Sequence, residues 1–514
     1  MEKNLIIMFV TIVVYMLMMV VIGLVCSKKN EDVSDFYLGG RKLGPIVTAM
    51  SAEASDMSSW LLMGLPGVAY LTGCAEAGWT AIGLAIGTYV NWLIVAKRLR
   101  VYTHKCNNSI TIPEFFSNRY RDSQKILMGI SAAIILIFFI PYTASGFSAC
   151  GKLFSTLFGI DYHLAMIISA VIIIAYTSVG GFLAASTTDL IQSIVMTLAL
   201  VILVIFGIDA AGGVDNVMTN AKGLTDYLSF TALHNPENGG SSPYSALSIA
   251  SLLAWGLGYF GMPHILLRFM AIEDKEKVKT SRRIASVWVV ISMAVAIFIG
   301  IIGNSLSANG TIEKLGGTQS ETIIMKIATY MSENGFILAI LGGLIFAGIL
   351  ASTMSTSDSQ LLAASSSMSE NLLKGMFKIN LNQKQSMISA RLVLIVIAVL
   401  SVFIAWNPDS SVFRIVSFAW AGFGATFAPV MLLALFWKRS NKYGAIAGLI
   451  TGGVMVFLWK FVIANLGGVF AIYELLPAFV VAIVVNVIVS LCTAKPADDM
   501  IAEFDAVNAE LKAK

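Results

Sequence analysis

The sequence predicts an all-α polytopic membrane protein of about thirteen transmembrane helices, on three observations. First, 57% of the 514 residues are hydrophobic and only 12% are charged, whereas a soluble domain carries about 25% charged residues. Charge this sparse cannot cover the surface of one large soluble core. Second, the apolar residues fall in runs of the roughly 20 residues needed to cross a bilayer. Third, the basic residues are strongly one-sided. The same arithmetic excludes a disordered chain, a secreted disulfide scaffold and a nucleic-acid binder. Five scattered cysteines without a C-x-x-C and four scattered histidines give no zinc site and no metalloenzyme pattern.

In chain order, the spans are read at 4–26, 45–72, 78–96, 126–150, 163–179, 185–208, 245–267, 284–305, 335–364, 388–406, 412–437, 444–464 and 471–493. The first is too long, and lacks the small-residue cleavage site, for a signal peptide. With the N-terminus outside, 27 of the 34 Lys and Arg residues fall in segments on the cytoplasmic side. Seven fall on the other: Lys3, Lys152, Lys222, Lys314, Lys326, Arg414 and Lys460. The positive-inside rule therefore places the N-terminus outside and the C-terminus inside a cell membrane. The longest loops, 209–244 and 306–334, are outside. The charged, Ala-rich tail of about 20 residues after Lys495 is expected to form a short helix.

Two spans carry internal breakers. Span two reads SAEASDMSSWLLMGLPG from Ser51 to Gly67, and span seven reads SLLAWGLGYFGMPHILLRF from Ser251 to Phe269. Gly and Pro in an interior span free backbone groups, which are tolerated only where protein, water or a ligand satisfies them. One such helix can be a kinked packing helix. Two, five spans apart, point to a midplane site in a transporter built from repeats. In span nine, Ser352, Ser355, Thr356 and Ser359 follow i, i+3, i+4, i+7, which sets four hydroxyls on one helix face. Small residues on one face also serve close helix packing. Beside broken helices, the stripe reads as ligands for a hard cation such as Na⁺. The ionisable residues inside spans, Glu53, Asp56, Asp189 and Asp358, are expected to face the bundle interior. Asp189, near the start of span six, also suits a helix cap. Glu76, Arg268 and Glu474 lie near span ends and are read as solvated.

With these residues in view the chain resembles the sodium/solute symporter family, most closely its bacterial sodium/proline symporters. The matching stretches are LGGRKLGPIVTAMSAEASDMSSWLLMGLPG (38–67), RLRVYT with TIPEFF, FFIPYTASG (138–146), YTSVGGFLAAS (176–186), WGLGYFGMPHILLRFM (255–270), MSTSDSQLL (354–362), and WAGFGATFAPV with GAIAGLITGG (420–453). The resemblance implies a LeuT-like fold of two inverted five-helix repeats. The first repeat is spans two to six (45–212) and the second spans seven to eleven (245–437). Segment 1–44 holds span one and a cytoplasmic loop, 213–244 an extracellular loop, 438–493 spans twelve and thirteen, and 494–514 the tail.

The resemblance also implies site residues. The carbonyls of Ala54, Met57 and Ser352 and the hydroxyls of Ser355 and Thr356 would bind sodium. Asp56 and Ser58 would support coupling and substrate binding. Trp60, Tyr142, Trp255, Tyr259 and Pro263 would line a pocket suited to a small apolar ring such as proline. Arg41 would act in coupling on the cytoplasmic side. In some members a second sodium lies where this chain has Asp189, Asp358 and Ser359. Glu53 stands where proline symporters have glycine, Met262 where they have glutamine, Ser352 where they have alanine and Asp358 where they have serine.

The expected function is sodium-driven uptake of a small amino acid, most of all L-proline, with sodium as the coupling ion. Other readings are another small solute or a proton-coupled member of the same fold, a transporter-like membrane sensor, a membrane enzyme, and a channel. The tail leaves no room for a kinase or receiver. No nucleophile–base pair or metal cluster suggests an enzyme, and broken helices with an aromatic pocket read as a closed binding site rather than a pore.

Overall fold

The computed structural model describes residues 2–27 and 33–513. Lys28, Lys29 and Lys514, counted above among the cytoplasmic basic residues, lie outside them. The described chain is almost entirely helical, as a bilayer requires of segments that must satisfy their own backbone hydrogen bonds. One departure from an all-α fold is a short antiparallel hairpin, Ala232–His234 with Ser241–Pro243, in the loop after span six.

Among the described residues, ten helices are long and apolar enough to cross a membrane. An eleventh crossing is made if the pair Ala246–Phe260 and Pro263–Ala271, bent by 45°, is one span. The thirteen expected spans differ from these at three places, each for a local reason. Span two is interrupted: the helix Pro45–Ser59 is followed by one wide turn, Trp60–Gly64, and a second helix, Leu65–Thr72. Spans five and six run as one element, Tyr162–Ala210, whose helical backbone is broken at Gly181 (φ 65°, ψ −168°), a conformation open to glycine. Its first leg, Tyr162–Ala175, is apolar but short. Span seven tightens to 3₁₀ turns over Ala254–Phe260 before restarting at Pro263.

The helix Phe336–Ser366 runs through the centre, packed against Tyr162–Ala210, Glu2–Ser27, Ile126–Phe158 and Pro45–Ser59. From Ile345 to Ser366 every residue is buried. The lipid-facing sides carry Ile205, Val287 and Phe403, each at least 60% exposed. Helices approach closely through small residues, as expected where lipid removes the hydrophobic drive to pack. A Cβ on Gly258 would lie 2.1 Å from the Trp420 indole nitrogen, so span seven meets span eleven there nearly backbone to ring. Lys442–Leu458 and Leu475–Cys492 pack against each other and against Val412–Phe436.

The tail forms the expected helix, Asp498–Lys512, and it is docked. Phe504 and Val507 are buried. Arg121 pairs with Asp499 (2.9 Å) and Glu503 (3.0 Å), and Glu510 pairs with Lys105 (3.0 Å) and Lys275 (3.2 Å).

Candidate functional site

The interruption of span two sits at Ser58, whose backbone is at φ 46°, ψ −171°. For a non-glycine residue that conformation costs on the order of 1–3 kcal/mol. The last turns of the Pro45–Ser59 helix lie against span nine. There the Ser355 hydroxyl donates to the Ala54 carbonyl (2.8 Å) and lies 3.2 Å from the Ser352 carbonyl, which also accepts from the Thr356 hydroxyl (3.1 Å). The Met57 carbonyl accepts the Trp60 backbone N–H. Four of the five oxygens named for sodium are thus joined directly, and the fifth lies one turn along the same helix. These are neutral, hard oxygens in a buried place, the chemistry a small alkali cation requires.

Next to it is a small buried cavity of about 10 Å³ lined by Asp56, Met57, Trp60, Tyr142, Trp255 and Trp420. Trp60 and Trp255 lie 5.6 Å apart, and both pack on Phe413, at 6.0 and 5.7 Å. Trp420 donates its indole N–H to the Trp255 carbonyl (2.8 Å) and meets Tyr259 edge-on at 5.1 Å. Tyr259 donates to Asp56 Oδ2 (2.5 Å), and Tyr142 donates to the Asp56 carbonyl (3.4 Å). Beyond Trp255 opens a cavity of about 1060 Å³, walled by Glu76, Tyr244, Glu321, Arg414 and Tyr473 among others.

Other expected site residues fall outside this cavity. The Ser58 hydroxyl accepts the Trp60 N–H (3.1 Å). Met262 and Pro263 form the restart of span seven, with Met262 fully buried. Arg41 braces the ends of spans three and seven. Its guanidinium donates to the Met270 carbonyl (2.7 Å), the Ser109 carbonyl (2.7 Å), Thr103 (3.2 Å) and Asn108 (3.0 Å). Burial, then the neighbouring Arg100, lowers its pKa to about 10, so it stays charged at neutral pH.

Asp189 and Arg268 correct the reading above. Asp189 does not cap a helix; it lies within Tyr162–Ala210, fully buried. Arg268 is 1% exposed rather than solvated. Its guanidinium donates to Asp189 (3.1 Å), Ser359 (2.5 Å), Ser51 (3.0 Å) and the His264 carbonyl (3.0 Å), and packs over Phe182 at 4.9 Å. Ser359 in turn donates to Asp358 (3.1 Å). The hydroxyl stripe therefore serves two places, Ser355 and Thr356 at the carbonyls and Ser359 at this ion pair. Glu474 is also buried, paired with Lys460 (2.8 Å), while Glu76 is half-buried in the wall of the large cavity.

The description "Sodium:solute symporter family" matches residues 36–452. A sodium/proline symporter of Haemophilus influenzae is 42% identical over 500 residues, covering 96% of each chain. One of Staphylococcus aureus is 39% identical over 495 residues, covering 95% of this chain and 93% of the relative.

The chain belongs to the sodium:solute symporter family.

Family membership makes it a multi-pass membrane transporter rather than an enzyme. A Na⁺-coupled sialic acid symporter, solved in a substrate-bound outward-open state, shares the fold with a TM-score of 0.77 at 18% identity, over 96% of this chain and 99% of that one. A nucleobase-cation-symport-1 family transporter in a closed conformation aligns with a TM-score of 0.53 at 14% identity, over 91% and 98%. The sequence did not reveal Trp420, Phe413 and Tyr473 as cavity walls or Arg268 as a buried counter-ion. Gly258 held a signal for Trp420, since a glycine beside aromatics in a span marks a close approach. Nothing along the chain indicated that Arg268 faces inward.

Proposed function

We infer that this symporter couples sodium entry to uptake of a small amino acid, foremost L-proline, across the cell membrane. The observation that carries this is Met57. In this reading its carbonyl joins the cation's oxygen set, and the same residue lines the aromatic cavity beside the helix break at Ser58. Cation and solute therefore organise one segment, which is the physical content of coupling. Relatives named sodium/proline symporters support the same solute.

In this reading Ala54, Met57, Ser352, Ser355 and Thr356 hold sodium. Ser58, Trp60, Tyr142, Trp255 and Tyr259 hold the solute, and Met262 and Pro263 shape the wall behind it. Arg41 fastens the cytoplasmic ends of spans three and seven. The chain crosses the membrane thirteen times, with N-terminus outside and C-terminus inside. Residues 45–212 and 245–437 act as two inverted repeats rocking around the midplane site. The large cavity beyond Trp255 is then the outward vestibule.

The energetics suffice. A potential of 100 mV contributes about 2.3 kcal/mol per charge and a tenfold sodium gradient about 1.4 kcal/mol. One sodium can therefore sustain roughly 500-fold accumulation of a neutral solute. The test is uptake of labelled proline into proteoliposomes under imposed sodium, lithium or proton gradients, with unlabelled amino acids as competitors. Sodium-driven, saturable uptake that only proline and its close analogues inhibit supports the reading. Uptake driven by protons alone, or untouched by excess proline, removes it.

A further inference from the structure

The start of span eight carries more positive charge than its neighbours neutralise. Between Glu273 and Arg283 stand three acidic and five basic residues. The acids are committed. Glu273 pairs with Lys277 (2.6 Å), Glu276 pairs with Lys97 (2.8 Å), and Asp274 accepts the Glu276 backbone N–H (2.9 Å). Lys275 pairs with Glu510 of the tail (3.2 Å). Among the described residues, Lys279, Arg282 and Arg283 form no ion pair. Arg282 lies over the Tyr89 ring of span three at 5.4 Å, and its Nε is buried without a partner. Arg283, about 100° further round the helix, is exposed and lines a groove between spans eight and six.

The groove has a volume of about 490 Å³. Thr197, Leu200 and Val201 line it from span six, residues from Ile284 to Val295 from span eight, and the buried Met50 from span two. Val201, Val287 and Ile291 are about half exposed or more, so it opens toward lipid. Its hydroxyl and indole donors are already used. Trp288 donates its indole N–H to Thr197 (2.8 Å), Thr197 donates to the Ser193 carbonyl (2.7 Å), and Ser292 donates to the Val289 carbonyl (3.2 Å). Beyond Arg283 a ligand therefore finds apolar surface and no free donor. The matching ligand is apolar along its length and anionic at one end. A soluble anion would use Arg283 alone, and a peptide would bring backbone groups that the groove cannot satisfy. Arg283 and Val295 are twelve residues apart, about 18 Å of helix. That is just over half of the roughly 30 Å hydrocarbon core, the reach of a chain in one leaflet.

We propose that this groove holds one anionic phospholipid, with its phosphate on Arg283 and one acyl chain between spans six and eight. A guanidinium offers phosphate two parallel N–H donors. Trp288, little more than a turn deeper, is the amphipathic ring expected near headgroup level. Lys279 and Arg282 add to the local attraction for anionic headgroups. In the orientation inferred above the lipid belongs to the cytoplasmic leaflet, but the site does not depend on which solute or ion is carried. Met50 belongs to the helix that ends at the Ser58 break, and Ser281 donates to the Pro45 carbonyl at the start of that helix (2.8 Å). The lipid would thus buttress a segment that the transport reading sets in motion.

The test is tryptophan quenching of the purified full-length protein in phosphatidylcholine vesicles. A varied mole fraction of the lipid carries brominated chains, on phosphatidylglycerol in one series and on phosphatidylcholine in the other. Each protein is compared with its Trp288→Phe counterpart, which isolates the Trp288 signal. In wild type, brominated phosphatidylglycerol should half-quench that signal at about fivefold lower mole fraction than brominated phosphatidylcholine. Arg283→Gln should remove the difference. Val287→Phe, on a lipid-facing position, fills the groove with the charge intact and should remove it as well. Lys279→Gln, the same charge change outside the groove, should keep most of it. Equal quenching by the two lipids in wild type overturns the proposal, as does quenching by neither, the result if another protein chain covers the groove. Loss of selectivity in Lys279→Gln as complete as in Arg283→Gln also overturns it, because the attraction would then be diffuse.

Discussion

Ser58 and the pair Ser355–Thr356 show what single residues decide in this transporter. Ser58 holds a backbone conformation that is essentially reserved for glycine, and its hydroxyl accepts the Trp60 N–H. Glycine and alanine at this position both remove the hydroxyl, but only glycine relieves the backbone. Ser58→Gly is therefore expected to melt above Ser58→Ala, by about 1–3 kcal/mol of stability, in thermal unfolding of the purified protein. The reverse order would mean that the conformation carries no strain. At the cation oxygens each hydroxyl contributes about 1 kcal/mol, so Ser355→Ala with Thr356→Ala should raise half-saturating sodium by on the order of tenfold or more. Protein abundance should stay near wild type. Normal transport by the double variant at low sodium would dismiss the site.

At the scale of elements, two junctions govern how helices meet around the pocket. Glu321, in the segment before span nine, caps the start of span eleven. Its carboxylate accepts from the backbone N–H groups of Val412 and Phe413 (both 3.1 Å), from the Ser411 hydroxyl (2.7 Å) and from Lys152 Nζ (3.0 Å). Removing one partner of a buried ion pair strands the other charge, at about 3–5 kcal/mol. Glu321→Gln should thus be strongly destabilising, while Glu321→Gln with Lys152→Met should recover most of the loss. A double-mutant cycle in thermal stability checks this, and simple additivity would show that the pair is not coupled. The second junction is Gly258 against Trp420. A methyl there needs the ring or the backbone to move, an overpacking cost of typically 1–3 kcal/mol. Gly258→Ala should weaken proline affinity by about tenfold or more, with sodium affinity changed far less. Equal loss of both affinities would mean that the junction supports the whole core rather than the solute wall.

The docked tail is a whole-molecule feature, since its helix bridges the ends of spans three and four and the loop after span seven. Hydrogen bonding from Lys105, with a further contribution from Lys275, holds the Glu510 carboxyl below its ordinary value of 4.5. A depressed carboxyl favours the docked state at neutral pH, and that contribution is lost as pH falls through the depressed value. The ion pairs are exposed and screened by salt, whereas Phe504 and Val507 are buried. Amide protection over Asp498–Lys512, taken relative to intrinsic exchange, should therefore be high at neutral pH in both low and high salt, and fall as the Glu510 carboxylate is protonated. Phe504→Ala should lower it at neutral pH. Release by salt alone would show that charge rather than apolar contact holds the tail.

At this same scale, what could be read along the chain was whatever a one-dimensional pattern encodes. Apolar run length and scarce charge set the membrane class, because crossing a bilayer demands a fixed number of apolar residues. Breakers in spans two and seven and the 3.6-residue spacing of hydroxyls in span nine marked the segments that meet at the site. The motifs carried the family. Helix packing decided the rest, because which way a side chain faces is set by neighbours far off in sequence. Arg268 looked like a solvated span end until the restart of span seven at Pro263 turned it onto Asp189, 79 residues away. Trp420 became a pocket wall because Gly258 lets span eleven come close. Ser359, one stripe with Ser355 in sequence, joined a different cluster because Arg268 reaches it first. Glu53 and Ala54 are neighbours in the chain, yet they face different helices because one residue is 100° of rotation, and only the fold shows what stands on each side.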